Sequence, residues 1–265
     1  MAALAEYLVF AKKLAHHAGV MMLEARQSST FESDYKSGHE LVTSVDIAVD
    51  DYLCSQIREQ YPEHDIFSEE STPDLLICGE NSAPVWVIDP IDGTVNFAHG
   101  LPHVAVSIGL YINGKRQLGV VEAPFLGQTY WAVLGSGAYC NDEKISVSNQ
   151  ENLRNALVAT GFPYRKETLT ELVPKVGRIL EHCQDVRRNG SAALDLCAVA
   201  HGFMDAYYES VKPWDMAAGA IIAEEAGASI GHFGDIRKEW PEALNGDCLL
   251  VSTPKIYEQL ASLLK

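Results

Sequence analysis

Val85-Trp86-Val87-Ile88-Asp89-Pro90-Ile91-Asp92-Gly93-Thr94-Val95-Asn96-Phe97 passes within a few residues from an unbroken apolar run to two carboxylates, a proline and a glycine. The apolar, largely β-branched start reads as a buried strand. Pro90 biases Asp89 toward extended backbone and cannot donate to a neighbouring strand, so Asp89 should project from the strand's end into a turn. Asp92 follows three residues later, after a turn that can bring both carboxylates and the Ile91 carbonyl to one point, a cluster of hard oxygen donors. Gly93 permits close backbone approach, and Thr94 to Asn96 read as the first turn of a short helix, whose free N–H groups attract anions. Cation ligands and a phosphate cradle would then be adjacent. Taken alone, the same residues read first as an Asp-Gly turn in which Asp92 or Thr94 caps a helix.

Three other stretches repeat the transition from apolar to acidic. Phe67-Ser68-Glu69-Glu70 follows Asp65-Ile66 and offers a carboxylate pair able to bridge a metal and act as base to water, although by itself it reads as a solvated pair. Trp214-Asp215-Met216-Ala217-Ala218-Gly219 opens an amphipathic helix running to about Ala226, with Asp215 at its N-terminus in a capping position. Leu41-Val42-Thr43-Ser44-Val45-Asp46 places Thr43 and Asp46 at a strand-to-helix junction, where capping is again the default.

Together the four junctions resemble the inositol monophosphatases, a family of magnesium-dependent, lithium-sensitive phosphatases. Three signatures carry the likeness in matching order and spacing: Glu69-Glu70-Ser71, the Asp89 to Phe97 run, and Trp214-Asp215 to Gly219. Leu41-Val42-Thr43, Ala159-Thr160-Gly161-Phe162-Pro163-Tyr164 and Arg188-Asn189-Gly190-Ser191-Ala192-Ala193-Leu194-Asp195 are also similar to it, so the likeness spans nearly the whole chain. Ser68 stands where the family commonly has glycine, and Glu40 where it commonly has aspartate. Neither departure removes a ligand.

Carried over by position, the resemblance implies that Glu69, Asp89 and the Ile91 carbonyl hold one magnesium ion, and that Asp89, Asp92 and Asp215 hold a second. Glu69 would help place a third, and Glu70 would stand behind it. Thr94 paired with Asp46 would orient the attacking water, giving Asp46, Glu69 and Thr94 the catalytic roles. The Gly93 and Thr94 amides would take the phosphate, with Asp92 and Asp215 beside it. Glu209 and Gly190-Ser191-Ala192 would meet the alcohol. The implied reaction is hydrolysis of a phosphate monoester, inositol 1-phosphate first, by metal-assisted water without a covalent intermediate. Phosphate-ester hydrolysis needs charge neutralised on both attacking and leaving oxygens, and magnesium suits carboxylate and water ligands. Fructose 1,6-bisphosphate and histidinol phosphate are alternative substrates within such a group, and Asn96-Phe97 favours the inositol-type branch over the histidinol and nucleotide branches. Some members also bind bacterial transcription complexes, so an added protein-binding role is a second expectation. A homodimer is implied as well.

The resemblance implies a small phosphorylated polyol or sugar as substrate, and length and composition set bounds compatible with that. The 265 residues, 47% hydrophobic, are enough to bury a sizeable core. A formal charge of −16, from 36 acidic and 20 basic residues, disfavours nucleic acid and membrane surfaces as partners. The opening residues Ala2 to Ala25 read as an amphipathic helix interrupted by Lys12 and Lys13, not as a signal peptide, and no apolar run reaches the roughly 18 to 20 residues that span a bilayer. Six cysteines, at 54, 78, 140, 183, 197 and 248, lack the paired spacing of a zinc site and read as reduced thiols of a cytoplasmic protein.

Periodicity predicts α/β organisation. A strand at 41–43 and a helix at 47–60 precede the two acidic strand ends. Residues 104–112, 117–123 and 129–134 read as an antiparallel meander with turns at Asn113-Gly114 and Leu126-Gly127. Beyond about residue 150 strands near 157–160, 186, 204–209 and 249–252 alternate with helices at 169–182, 191–200, 215–226 and the C-terminus. The expected fold is a mixed α+β chain, one domain over 1–265 in two packed halves of about 1–150 and 151–265. The resemblance makes it an αβαβα layered sandwich of the inositol monophosphatase and fructose-1,6-bisphosphatase kind.

Other chemistries fit poorly. Asp92-Gly93-Thr94-Val95 is similar to part of the haloacid-dehalogenase phosphatase motif, but that scheme wants Asp-x-Asp-Gly-Thr near the chain's start, and here the aspartates are three apart. Gly234 to Glu239 mimics that family's later acidic motif only within a loop. His99 and His103 have helical metal-ligand spacing broken by Gly100 and Pro102, and His16 and His17 read as ordinary helix residues. Gly-x-Ser-x-Gly, Gly-x-x-x-x-Gly-Lys and His-Glu-x-x-His are absent. Arg187 and Arg188 could face phosphate, a partner subunit or solvent.

Overall fold

A computed structural model describes residues 2–28, 31–36, 40–71, 83–163 and 169–265, so Cys78 and Tyr164 lie outside the described residues. In chain order the elements are α1 (Ala2–Ser28), β1 (Ser33–Lys36), β2 (Glu40–Thr43), α2 (Ser44–Gln60), β3 (Asp65–Ser68), β4 (Val85–Asp92), α3 (Thr94–Ala98), β5 (Ala105–Ile112), β6 (Lys115–Ala123), β7 (Gln128–Val133), β8 (Ala138–Cys140) and β9 (Glu143–Ile145). They continue with β10 (Leu157–Thr160), α4 (Leu169–His182), β11 (Asp185–Arg187), α5 (Ala192–Ala200), β12 (Ala206–Glu209), α6 (Pro213–Glu225), β13 (Ser229–His232), β14 (Leu249–Ser252) and α7 (Tyr257–Leu264).

β3 to β9 form a seven-stranded sheet in sequence order, antiparallel except for the parallel pair β3 and β4. The predicted meander is β5, β6 and β7, turned between the first two by Asn113 and Gly114, both at positive φ. A five-stranded sheet runs β11-β10-β12-β14-β13, parallel across β11, β10 and β12 and antiparallel beyond.

Alternation along the strands sets the layers. One face of the seven-stranded sheet, including Trp86, Ile88, Val106, Ile108 and Val120, packs with Ala15, Met22, Leu53 and Ile57 of α1 and α2. The opposite face, through Ala105, Val121, Tyr130 and Ala132, meets Leu196, Cys197, Ala218 and Ile221 of α5 and α6, which also bury Tyr207 and Val251 of the second sheet. The outer face of that sheet, with Val158, Tyr208 and Leu250, is closed by Ile179 of α4 and Leu260 and Leu264 of α7. The order is therefore α, β, α, β, α, as expected. Close approach of α6 depends on Gly119 in β6, where a Cβ would overlap the backbone of Ala218.

Two helices start earlier than periodicity indicates. α2 begins at Ser44 rather than 47, because Thr43 caps it and Asp46 closes a capping box onto the Thr43 N–H. α6 begins at Pro213 rather than Asp215, since a proline is pre-set for the first helical turn. In both cases the apolar period starts only after the capping turn. No helix among the described residues is long and apolar enough to cross a membrane.

Candidate active site

A β-bulge assembles the centre of the site. Asp89 pairs with Ser107 and Asp92 with Ala105, so three steps along β4 match two along β5. In a regular strand, side chains three apart leave opposite faces. The extra residue, falling at Pro90-Ile91, reverses that parity and lets both carboxylates converge. Asp215, on the first turn of α6, completes the group: the carboxylates of Asp89, Asp92 and Asp215 offer ligand atoms all within 4.8 Å of one another.

Each carboxylate is held by different means. Asp92 Oδ2 accepts from Ser191 Oγ at 2.6 Å and from the Ala193 N–H at 2.7 Å, so it is anchored on the first turn of α5. Asp215 Oδ2 accepts from the Lys212 N–H at 2.8 Å, which fixes its direction at the head of α6. Asp89 is buried, and its Oδ1 has no hydrogen-bond partner among the described residues. A sealed, donorless carboxylate oxygen beside two more carboxylates is an arrangement that a bound cation satisfies well. The donors are hard oxygens, which fit magnesium, calcium or manganese better than softer ions.

Protonation follows the same geometry. Burial, then repulsion from Glu69, Asp92 and Asp215, pushes the Asp89 carboxyl well above the usual carboxylate range. Burial and the Asp92 and Glu69 charges do the same to Asp215. Burial raises Asp92 to about 6, against the pull of the Ser191 hydroxyl and the Ala193 N–H. Between about pH 4 and those raised values the folded, ion-free chain therefore binds more protons than the unfolded chain, and stability is lost as pH rises through the window. With chelator present, the melting temperature is expected to fall by at least about 5 °C between about pH 5 and pH 8. Saturating magnesium should abolish the fall. A flat or rising profile without metal, followed by scanning calorimetry, would contradict the cluster's protonation.

Thr94 stands beside the cluster at the start of α3. Gly93 before it adopts the left-handed region at φ +95°, and a Cβ there would press on the His103 and Gly190 carbonyls. Thr94 Oγ1 lies 2.9 Å from Asp46 Oδ1 and 3.1 Å from the Ile91 carbonyl, two acceptors for its single proton. Asp46 is buried, and its Oδ2 is held by the Thr43 N–H at 2.9 Å and by the Thr43 hydroxyl. Burial raises its pKa, with the Thr43 and Thr94 hydrogen bonds opposing.

All of this opens on one cavity of about 580 Å³, whose walls include Glu69, Asp89, Ile91, Asp92, Gly93, Thr94, Gly190, Ser191, Ala192, Glu209 and Asp215. Of the residues given catalytic, substrate-binding or metal roles from sequence only Asp46 does not line it, and Asp46 reaches it through Thr94. Glu70 is not part of the wall. Glu209, at the end of β12, accepts from Tyr207 Oη at 2.7 Å and is raised by burial to about 7. Arg187 and Arg188 diverge: Arg188 lines the cavity, while Arg187 pairs with Asp185 at 2.6 Å in solvent. α3 ends at Ala98, so His99 and His103 share no helix, in line with the break at Gly100 and Pro102. Cys54, Cys140, Cys183 and Cys197 are buried free thiols and Cys248 is a partly buried one.

Three wall features had no role assigned from sequence. Lys212 precedes α6, and Arg237 forms a two-pronged pair with Asp247, with both contacts at 2.7 Å. Arg237 and Asp247 sit ten residues apart in irregular segments, where no period links them. Asp195 had a readable signal, since it lies one helical turn beyond Ser191 and so shares its face of α5.

Comparison with known proteins agrees with this architecture. The profile of the Inositol monophosphatase family matches residues 3–265. "Nus factor SuhB" of Pasteurella multocida (strain Pm70) is 37% identical over 259 residues, covering 96% of this chain and 93% of that protein. The extragenic suppressor protein suhB from Bartonella henselae superposes with a TM-score of 0.88 at 28% identity, covering 98% of both chains. Inositol monophosphate bound SaIMPase-II, a staphylococcal protein, superposes with a TM-score of 0.79 at 29% identity, over 97% of this chain and 92% of that one.

Proposed function

The chain belongs to the inositol monophosphatase family, and from that premise we propose that it hydrolyses a phosphate monoester with magnesium, inositol 1-phosphate being the first substrate to consider. The observation that carries the proposal is the convergence of Asp89, Asp92 and Asp215 beside the Thr94 to Asp46 hydrogen bond in one cavity. Glu69, Asp89, the Ile91 carbonyl, Asp92 and Asp215 would hold two to three magnesium ions. Bound there, magnesium would neutralise charge on the phosphate oxygens and ease deprotonation of water.

The chain's own groups position the reactants. The amides of Gly93 and Thr94 receive the phosphate, and Glu209 with Gly190-Ser191-Ala192 receives the alcohol. Water donates to Thr94 Oγ1 as that hydroxyl gives its own proton to Asp46 Oδ1, and the raised pKa of Asp46 suits it to accept. The water oxygen bonds to phosphorus as the ester oxygen leaves with its electron pair, takes up a proton from solvent water and departs as the alcohol, and Asp46 returns its proton to solvent. Asp92 is occupied by Ser191 and Ala193, which suits an anchored ligand better than a nucleophile. The same reading treats 1–265 as one catalytic domain in two packed halves, acting as a homodimer inhibited by lithium.

Phosphate release from inositol, sugar, histidinol and nucleotide monophosphates, each with magnesium and with added lithium, tests the proposal. Turnover of inositol monophosphate at least about tenfold above the histidinol and nucleotide esters, reduced by lithium, is expected. Release from none of them would overturn it.

A second reading adds to the first. The relatives called Nus factor SuhB favour a protein-binding role in transcription alongside catalysis. Such a role would survive substitutions confined to the acidic cluster.

A further inference from the structure

Asp195 is 2% exposed yet forms part of the cavity wall, beside Ser191 and Ala192 and across from Glu209. Its Oδ1 is occupied: Asn189 Nδ2 donates to it at 2.7 Å, and His103 Nε2 stands 3.6 Å behind it. Its Oδ2 accepts from no group among the described residues, and it is not sealed from solvent as Asp89 Oδ1 is. A buried carboxylate with one oxygen satisfied by the protein and the other left to a cavity is poised for a ligand's donor.

Glu209 presents the same combination. Tyr207 satisfies Oε2, and Gly161 makes room for the rest, since a Cβ at 161 would overlap the Glu209 carboxylate. The alcohol end of the cavity therefore carries two carboxylates, one on β12 and one on α5, each fixed through a single oxygen. When ionised, carboxylate oxygens accept and do not donate, so this wall then selects groups that donate. Arg188 on the same wall offsets part of the negative charge and so favours neutral donors over an ammonium group.

We infer that Asp195 is a specificity-determining residue whose Oδ2 accepts a hydroxyl of the leaving alcohol, so that with Glu209 it selects polyol phosphates bearing hydroxyls near the ester. The inference rests on the phosphatase reading of this site. Asn189 holds Asp195 in place, and Asn96 holds Asn189 through its carbonyl at 2.8 Å, so the acceptor is pre-positioned.

Asp195→Asn tests it, because an amide oxygen can keep the Asn189 bond while the carboxylate acceptor on the cavity side is lost. The magnesium-loaded variant and wild type are compared on inositol 1-phosphate and on 4-nitrophenyl phosphate, whose leaving group has no hydroxyl beside the ester. The variant is expected to lose about tenfold in kcat/KM on the inositol ester, chiefly through KM, and less than about twofold on the nitrophenyl ester. Equal losses on both, or no loss on either, would overturn the inference. Should Asp195→Asn not fold, Asp195→Ser carries the same comparison. Wild-type protein inactive on both esters would instead overturn the phosphatase reading beneath it.

Discussion

Asp92→Asn is expected to lower magnesium-dependent phosphate release by at least about 10³-fold while leaving the chain folded. Asp92 serves two structures at once. Its carboxylate belongs to the acidic cluster, and the same group accepts the Ser191 hydroxyl and the Ala193 N–H at the head of α5. An amide of equal size keeps one oxygen for those donors but turns a donor toward the other position, loosening the α5 anchor by roughly 1–2 kcal/mol. Against that, removing one of three buried, mutually repelling charges relieves the ion-free protein. The melting temperature should stay within a few degrees of wild type, and its fall with rising pH in chelator should become shallower. Unchanged turnover would remove Asp92 from the site. If the chain also has a binding role in transcription, partner capture should persist in this variant.

Thr94→Ala is expected to lower kcat by about 10²-fold to 10³-fold with KM changed by less than about threefold. The hydroxyl is the link between the cavity and Asp46, which otherwise lies behind the wall. Without it Asp46 keeps the Thr43 N–H and hydroxyl and stays in place, but no path leads a proton to it. Phosphate contact through the backbone amides of Gly93 and Thr94 does not need the side chain, so substrate affinity should survive. Thr94→Ser should restore most of the rate, and failure of serine to rescue would show that the methyl group, not the hydroxyl, matters at this position.

Much of this was legible because the site sits at element ends. Val85 to Ile88 announced a buried strand, Gly93 a close backbone approach, and Asp46 and Asp215 two helix starts, each a local signal. What those signals left open was whether Asp46 and Asp215 were caps or site residues. Structurally they are both, since Asp46 Oδ2 caps α2 while its Oδ1 reaches Thr94, and Asp215 braces the Lys212 N–H while facing Asp89 and Asp92.

The bulge at Pro90-Ile91 was only half legible. The proline suggested a break in pairing, but the reversal of side-chain parity depends on register with β5, a partner some fifteen residues away in sequence. The layer order was not readable from periodicity at all: α6, expected to be amphipathic, is instead apolar and buried nearly all round, and such a helix does not reveal which two sheets it separates. Resemblance supplied it. The pairing of Arg237 with Asp247, the outward turn of Arg187 and the half-satisfied carboxylate of Asp195 are tertiary facts with no counterpart in local pattern.

The most direct measurement is phosphate release from inositol 1-phosphate as magnesium is titrated into protein stripped of ions by chelator. The acidic cluster as a cation site requires no release above background at the start, then a saturable rise with magnesium that Asp92→Asn does not reproduce. Release that persists undiminished in chelator would contradict it.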